Sequence, residues 1–358
     1  MSIVGPALTN GLLSNWGLWG RDDIIGKLQG AMAADRVHHA YLFSGPSGSG
    51  KASLALAFAR ALCCQNPPGP GDACRVCLAC RKISRQVHPD VRTYCLMTQA
   101  AQAVRGSGKN TTLTIETVRE ISASIVLRPV EAAWRVIIIE DAESLQAIAQ
   151  EALLKTLEEP PTFLVLLLLT DDSELLLPTI QSRCEAVDFR PVGRKVIASA
   201  LVQAGFDTAL AERVATLSLG RPGWAFQASR APEWVEDRSA TFVRAIDWIE
   251  SSRYERLVTA VRLADTFSAS RDDVFAEIDA LLIVWRDALL LQAGLPDQLL
   301  HDVHRERLIE LVGGWTMSQV RQAIQAVLEC LGDLRANVRP RLATEAMVLQ
   351  WPMRMGRR

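Results

Sequence analysis

One stretch narrows the fold more than any other: YLFSGPSGSGKAS, Tyr41 to Ser53. A short apolar segment of strand type runs into a glycine-rich loop, and LALAFARALCC continues from it as a helix. Gly45-x4-Gly50-Lys51, set between a strand and a helix, is the pattern of a loop that cradles phosphate. Its glycines, Gly45, Gly48 and Gly50, let backbone N–H groups turn inward to phosphate oxygens. The helix N-terminus adds its positive dipole end, and Lys51 reaches the outer phosphates. Such a unit sits in a parallel sheet, which commits the first part of the chain to an α/β fold.

The same stretch limits the chemistry. A working loop of this kind carries Ser or Thr directly after the lysine as a magnesium ligand, and here that residue is Ala52. Ser53 follows one position later, about 100° around the helix, and is a poor substitute. The reading leaves open whether ATP or ADP, with Mg2+, still binds. It expects no fast hydrolysis, because magnesium neutralises charge in the transition state. RVIIIEDAE places Glu140, Asp141 and Glu143 at the end of a second buried strand. There a phosphate-loop enzyme holds an Asp for magnesium and often a Glu for water. In this chain the order is Glu140-Asp141, so each carboxylate misses its expected reach by about one methylene, a scale to which catalysis is sensitive. The alternative is acids that merely keep a strand end soluble.

Further strand candidates are VRTYCL (91–96), FLVLLLLT (163–170) and CEAVDF (184–189). Uninterrupted apolar runs mean burial on both faces, so a doubly wound parallel sheet is expected over residues 1–190. Pro191-Val192-Gly193 closes that region, and a short helical stretch follows. Beyond about Pro232 strand signals stop. Val274, Ile278, Leu281 and Trp285 recur at helical spacing, as do Val320, Ile324, Val327 and Leu331, so the last third is expected to be all-α with an ordinary helical core. RGSGKN (105–110) is read as an exposed loop, and RMGRR (354–358) as a solvated basic tail.

The composition is that of a globular chain: 358 residues, 49% hydrophobic and 22% charged. A net charge of −1 excludes a general basic field for nucleic acid or an anionic membrane. The longest purely apolar run, Phe163–Leu169, is far shorter than a membrane span, and no targeting segment is read at the start. The expectation is a cytoplasmic protein with no membrane partner, whose cysteines are reduced, buried or metal-bound. Cys64, Cys74, Cys77 and Cys80 follow C-x9-C-x2-C-x2-C, a spacing suited to a closed, structural Zn2+ site. Cys63 competes with Cys64 for the fourth place, and Cys64 is favoured. Cys95, Cys184 and Cys330 stand alone and are read as core residues.

EALLKTLEEPP (151–161), FLVLLLLT and PTIQSRC (178–184) form a specific combination. With HHAYLFSGPSGSGK (38–51), the four cysteines and the helical last third, it resembles bacterial clamp-loader subunits of the AAA+ class, the γ/τ and δ′ subunits of DNA polymerase III. The resemblance spans nearly the whole chain. It implies that Arg183 of Ser-Arg-Cys is an arginine finger acting in trans on a neighbour's ATP. It also implies that Thr170 senses the γ-phosphate. A second sensing arginine belongs near GRPG (220–223), but Arg221 is displaced by two and Gly223 stands in the arginine's place.

The resemblance further implies an AAA+ P-loop domain over 1–190 with a zinc module at 64–80 inserted in it. A small helical lid would follow at 191–232, and an all-α collar at 233–358 would join subunits into a ring. The implied partners are γ/τ and δ in a hetero-pentamer, and through it the β sliding clamp and primed DNA. Ala52, Glu140-Asp141 and the displaced arginine fit the δ′ branch, as part of the polymerase III holoenzyme with no independent ATPase. The chain is also read as lacking the long extension of τ. The alternatives are a γ/τ-like subunit with an active ATPase, and an unrelated AAA+ remodeller of DNA junctions, against which the cysteines and Ser-Arg-Cys argue.

Overall fold

The strand candidates pair into one parallel sheet, and the order of its strands decides where the loops gather. The structure is a computed structural model, and it describes residues 16–96, 112–296, 299, 305–335 and 338–353. The expected loop at 105–110 and the basic tail at 354–358 lie outside the described residues. The strands are β1 (Ala40–Ser44), β2 (Val91–Tyr94), β3 (Arg135–Ile139), β4 (Leu164–Thr170) and β5 (Glu185–Asp188). They lie in the order β2-β3-β4-β1-β5, each neighbour parallel to the next. The chain leaves β1 for the far edge and returns past it to add β5. The carboxyl end of β1 therefore lies at a topological switch, where the loops of an open α/β sheet collect.

Alternate residues of the central strands enter two separate cores. Tyr41, Phe43, Val136, Ile138, Val165, Leu167 and Leu169 face α1 (Asp22–Ala33) and α2 (Lys51–Cys63) in one cluster. Leu42, Ile137, Ile139, Leu164, Leu166 and Leu168 join the second cluster with α4 (Ile115–Ile125) and α5 (Ala147–Glu158). The short α3 (Leu78–Ser84) packs beside α2. This is the three-layer arrangement that continuous apolar strands require. Double burial holds for β1, β3 and β4, whereas β5 is an edge strand with Glu185, Ala186 and Asp188 exposed. A short α6 (Pro178–Gln181) precedes β5, and α7 (Arg194–Gln203), α8 (Thr208–Leu217) and α9 (Pro222–Ala228) follow it.

The chain divides into two compact units, Met1–Ser229 and Arg230–Arg358. The described part of the second unit is all-α: α10 (Pro232–Glu250), α11 (Arg253–Thr266), α12 (Arg271–Gln292), α13 (Arg305–Val312), α14 (Met317–Arg335) and α15 (Pro340–Leu349). Val274, Ile278, Leu281 and Trp285 are buried, as are Val320, Val327 and Leu331, while Ile324 is half-buried. Trp285 packs against Trp315 and Trp351, and Trp351 against Trp248. No described helix is long and apolar enough to cross a membrane.

Candidate nucleotide site and metal site

The glycine loop forms as the spacing requires. Gly45, Gly48 and Gly50 have φ of 146°, 77° and 99°, a region closed to most side chains. Gly50 caps α2, so Lys51 begins the helix with its side chain buried. A Cβ on Gly45 would come within 2.8 Å of Phe189, so only glycine lets the loop leave β1 there. Arg21, 4% exposed, fixes the loop from below by donating to Ser49 O at 2.9 Å and Arg190 O at 2.6 Å. Ala52 packs against the apolar cluster behind the loop. Ser53 is half-buried on the next helical position.

The lysine is engaged. Lys51 Nζ donates to Asp171 Oδ1 at 2.6 Å, to Pro46 O at 3.3 Å and to Gly45 O. Ser44 pairs with Thr170 across β1 and β4, so Gly45 and Asp171 begin adjacent loops at the same sheet edge. Thr170 is buried, and its hydroxyl is turned into its own chain, donating to Asp172 O at 2.8 Å and accepting from Asp172 N–H at 3.1 Å. Glu143 Oε1 accepts the Asp171 N–H at 3.3 Å. Burial pushes the Glu143 carboxyl up, and the Asp171 charge adds to the effect. Glu140 is likewise pushed up by burial and then by Asp141. Asp141 is exposed, with φ of 54°, and opens a single helical turn at 142–144. The strand end thus brings Glu140, Glu143, Thr170 and Asp171 to the lysine's side of the sheet, with Asp141 turned to solvent.

The segment expected to carry a second sensing arginine touches the loop directly. Gly223 N–H and Trp224 N–H, at the start of α9, donate to Gly48 O at 2.8 and 3.3 Å. A Cβ on Gly223 would lie 2.8 Å from that carbonyl, so no arginine fits there in this arrangement. Arg221 Nε instead donates to Ser218 O at 3.1 Å.

Arg183 is elsewhere, just after α6. It donates to Glu158 Oε1 at 2.8 Å and to Thr179 O at 2.9 Å, and its side chain is 35% exposed. Glu158 ends α5 inside the LEEPP stretch, so two of the specific sequence motifs meet at this ion pair.

The cysteine group resolves its own ambiguity. The Sγ atoms of Cys64, Cys74, Cys77 and Cys80 all lie within 4.8 Å of one another, close enough to hold one metal ion. Cys63 is buried in the sheet core, its Sγ 3.8 Å from Trp134 O, and takes no part. Cys74, Cys77 and Cys80 N–H groups donate to the sulfurs of Cys64, Cys74 and Cys77 at 3.2 to 3.4 Å. Burial pushes the Cys77 thiol up, but the Cys80 and Gln65 N–H groups and the neighbouring thiols outweigh it and bring it to about 6. The Cys77 and Val76 N–H groups likewise hold the Cys74 thiol below its usual value, whereas burial pushes Cys64 and Cys80 up; a metal ion would bind all four as thiolates.

Sequence reasoning passed over Asp171, Arg21 and the contact of α9 with the loop. The TDD run at the end of β4 was a signal for Asp171, since acids at that edge face the loop. Arg21 carried no signal of its own.

Among known proteins, the chain is similar to subunits of DNA polymerase III. A family described as "DNA polymerase III, delta subunit" matches residues 20–193. The delta′ subunit of DNA polymerase III from Bacillus subtilis is 28% identical over 325 residues, covering 90% of this chain and 93% of that protein. The delta′ subunit of Pseudomonas aeruginosa is 38% identical over 146 residues, 41% of each chain. The gamma/tau subunit of Mycobacterium tuberculosis is 28% identical over 357 residues, 92% of this chain, which spans 59% of that longer relative.

Proposed function

We propose that the chain is a member of the clamp-loader family of DNA polymerase III delta′ and gamma/tau subunits, and that it serves as a delta′ subunit whose own nucleotide site has decayed. The observation that carries this reading is Ala52, where the loop needs a hydroxyl, beside an unaltered Ser182-Arg183-Cys184. A chain that has lost its magnesium ligand but keeps an arginine finger is suited to a neighbour's chemistry rather than its own.

In this reading the chain joins gamma/tau and delta in a hetero-pentamer in the cytoplasm. The assembly opens the β sliding clamp and places it on primed DNA, driven by ATP held on neighbouring subunits. Arg183 contacts the γ-phosphate of one neighbour. Its ion pair with Glu158 supports that role, because a half-exposed guanidinium held by one carboxylate is oriented and can exchange that partner for phosphate oxygens. Residues 191–232 act as a lid and 233–358 as a collar that meets other subunits. Zn2+ on Cys64, Cys74, Cys77 and Cys80 holds the segment after α2, with no open position for catalysis.

The test is magnesium-dependent ATP hydrolysis by the reconstituted loader with the wild-type chain and with Arg183→Ala, beside the isolated chain. Arg183→Ala is expected to slow the site it serves by on the order of 10³-fold while the variant stays folded. Unchanged turnover removes the role in trans. The isolated chain is expected to be silent. The second reading, a gamma/tau-like subunit with an active ATPase, is favoured by the gamma/tau relative that aligns with 92% of the chain. Brisk hydrolysis by the isolated chain would establish it.

A further inference from the structure

Lys51 has three N–H donors and three acceptors already in place: Asp171 Oδ1, Gly45 O and Pro46 O. Lys51 as a whole is 9% exposed, so its ammonium depends on such partners. We propose that Asp171 acts as a built-in stand-in for a phosphate group, holding Lys51 and keeping the glycine loop in one shape without nucleotide. The inference rests on the reading that this chain's own site has decayed, and it names the residue that keeps the site closed.

A carboxylate on an ammonium makes the same charge-assisted contact as a phosphate oxygen. Asp171 is aimed by its surroundings rather than resting there by chance. Its N–H is held by Glu143 Oε1, and the next peptide is fixed by the two hydrogen bonds between Thr170 and Asp172. From the other side, Gly48 O is latched to the first N–H groups of α9, which a helix start otherwise leaves without partners. A nucleoside triphosphate, nucleoside diphosphate or pyrophosphate would have to displace Asp171 from Lys51. Its phosphates would then face the freed carboxylate as a like charge. In a working loop a magnesium ion would offset that repulsion, but Ala52 offers no hydroxyl to bring one. The loop therefore holds its conformation whatever the nucleotide supply, as a subunit that lends a fixed arginine to its neighbour requires.

Calorimetric titration of the full chain with ATP, ADP and inorganic pyrophosphate, magnesium present, reads this directly. The Asp171 side chain is 45% exposed, so Asp171→Asn and Asp171→Ala leave the packing intact. Melting temperature and metal content check that each variant is folded. Both variants are expected to gain about two- to fivefold in affinity, the worth of a half-exposed ion pair. Lys51→Ala added to Asp171→Asn is expected to abolish the gain. Folded Asp171 variants that bind no better than wild type overturn the inference. ATP turnover by the wild-type chain is read separately. A wild-type chain that hydrolyses ATP sinks the decayed-site reading itself, whereas a silent wild type with no gain in the variants sinks only the role of Asp171.

Discussion

Asp90, fully buried, accepts N–H bonds from Val130, Glu131 and Ala132 at 2.7 to 3.0 Å and pairs with buried Arg135 at 3.3 Å. Burial alone would push its carboxyl up, but the three N–H groups and the guanidinium outweigh burial and hold it below its usual value. A carboxyl depressed in the folded state contributes fully above its unfolded value, near pH ~4, and loses that contribution as pH falls through the lower folded value. Asp90→Asn is therefore expected to cost about 3–5 kcal/mol at neutral pH, since it leaves Arg135 buried without its counter-charge. Denaturant melts at neutral pH and below pH ~4 check the sign. The gap between variant and wild type should narrow in acid, and a gap that stays constant would mean Asp90 is not held as the anion. The same logic separates this aspartate from Asp171, whose partner Lys51 belongs to the glycine loop rather than to the sheet.

At the scale of elements, the cysteine module joins the end of α2 to the start of α3. Cys64 follows α2 directly, Cys77 caps α3 and Cys80 lies within it. Its closure is local, so removing metal should loosen this segment and leave the sheet. Chelation is expected to speed amide exchange over residues 64–84 while β1, β3 and β4 stay protected, and the native chain should carry about one zinc. Exchange unchanged by chelation, or far less zinc than that, would remove the site. The module was legible in the sequence because four sulfurs at short spacing meet without help from the fold. The central strands were legible because apolar runs such as Leu164–Leu169 have no polar interruption. The contacts that shape the candidate nucleotide site were not. Lys51 and Asp171 are 120 positions apart, and only the pairing of Ser44 with Thr170 brings their loops together. Gly223 reaches Gly48 only after α7 and α8, where Gly220 O accepts from Val192 N–H and returns the chain to the loop, and Arg21 reaches Ser49 O through packing against Phe189. Periodicity also could not foretell that Ile324, on the apolar stripe of α14, would be only half-buried.

For the whole molecule, each unit carries its own means of staying folded. The sheet unit has its two apolar clusters and the cysteine module. The helical unit has Trp285 at the centre of its tryptophan cluster, fully buried against Trp315 and Trp351. Arg256 ties α11 to that cluster, donating to Ile249 O and, at 2.9 Å, to Pro352 O, with its guanidinium over the Trp351 ring. Every one of these contacts is internal to residues 230–358. Trp285→Ala removes the largest buried side chain of that unit and is expected to cost about 3–5 kcal/mol. If the units are thermodynamically separate, the cost falls on one of them, and a single melt becomes two transitions. Following helical circular dichroism together with zinc release distinguishes the cases. Loss of helix at lower temperature with zinc release unmoved is the expected result. Zinc release that shifts down in step with helix loss would show that the two units unfold as one, and a lesion in the helical unit would then reach the glycine loop as well.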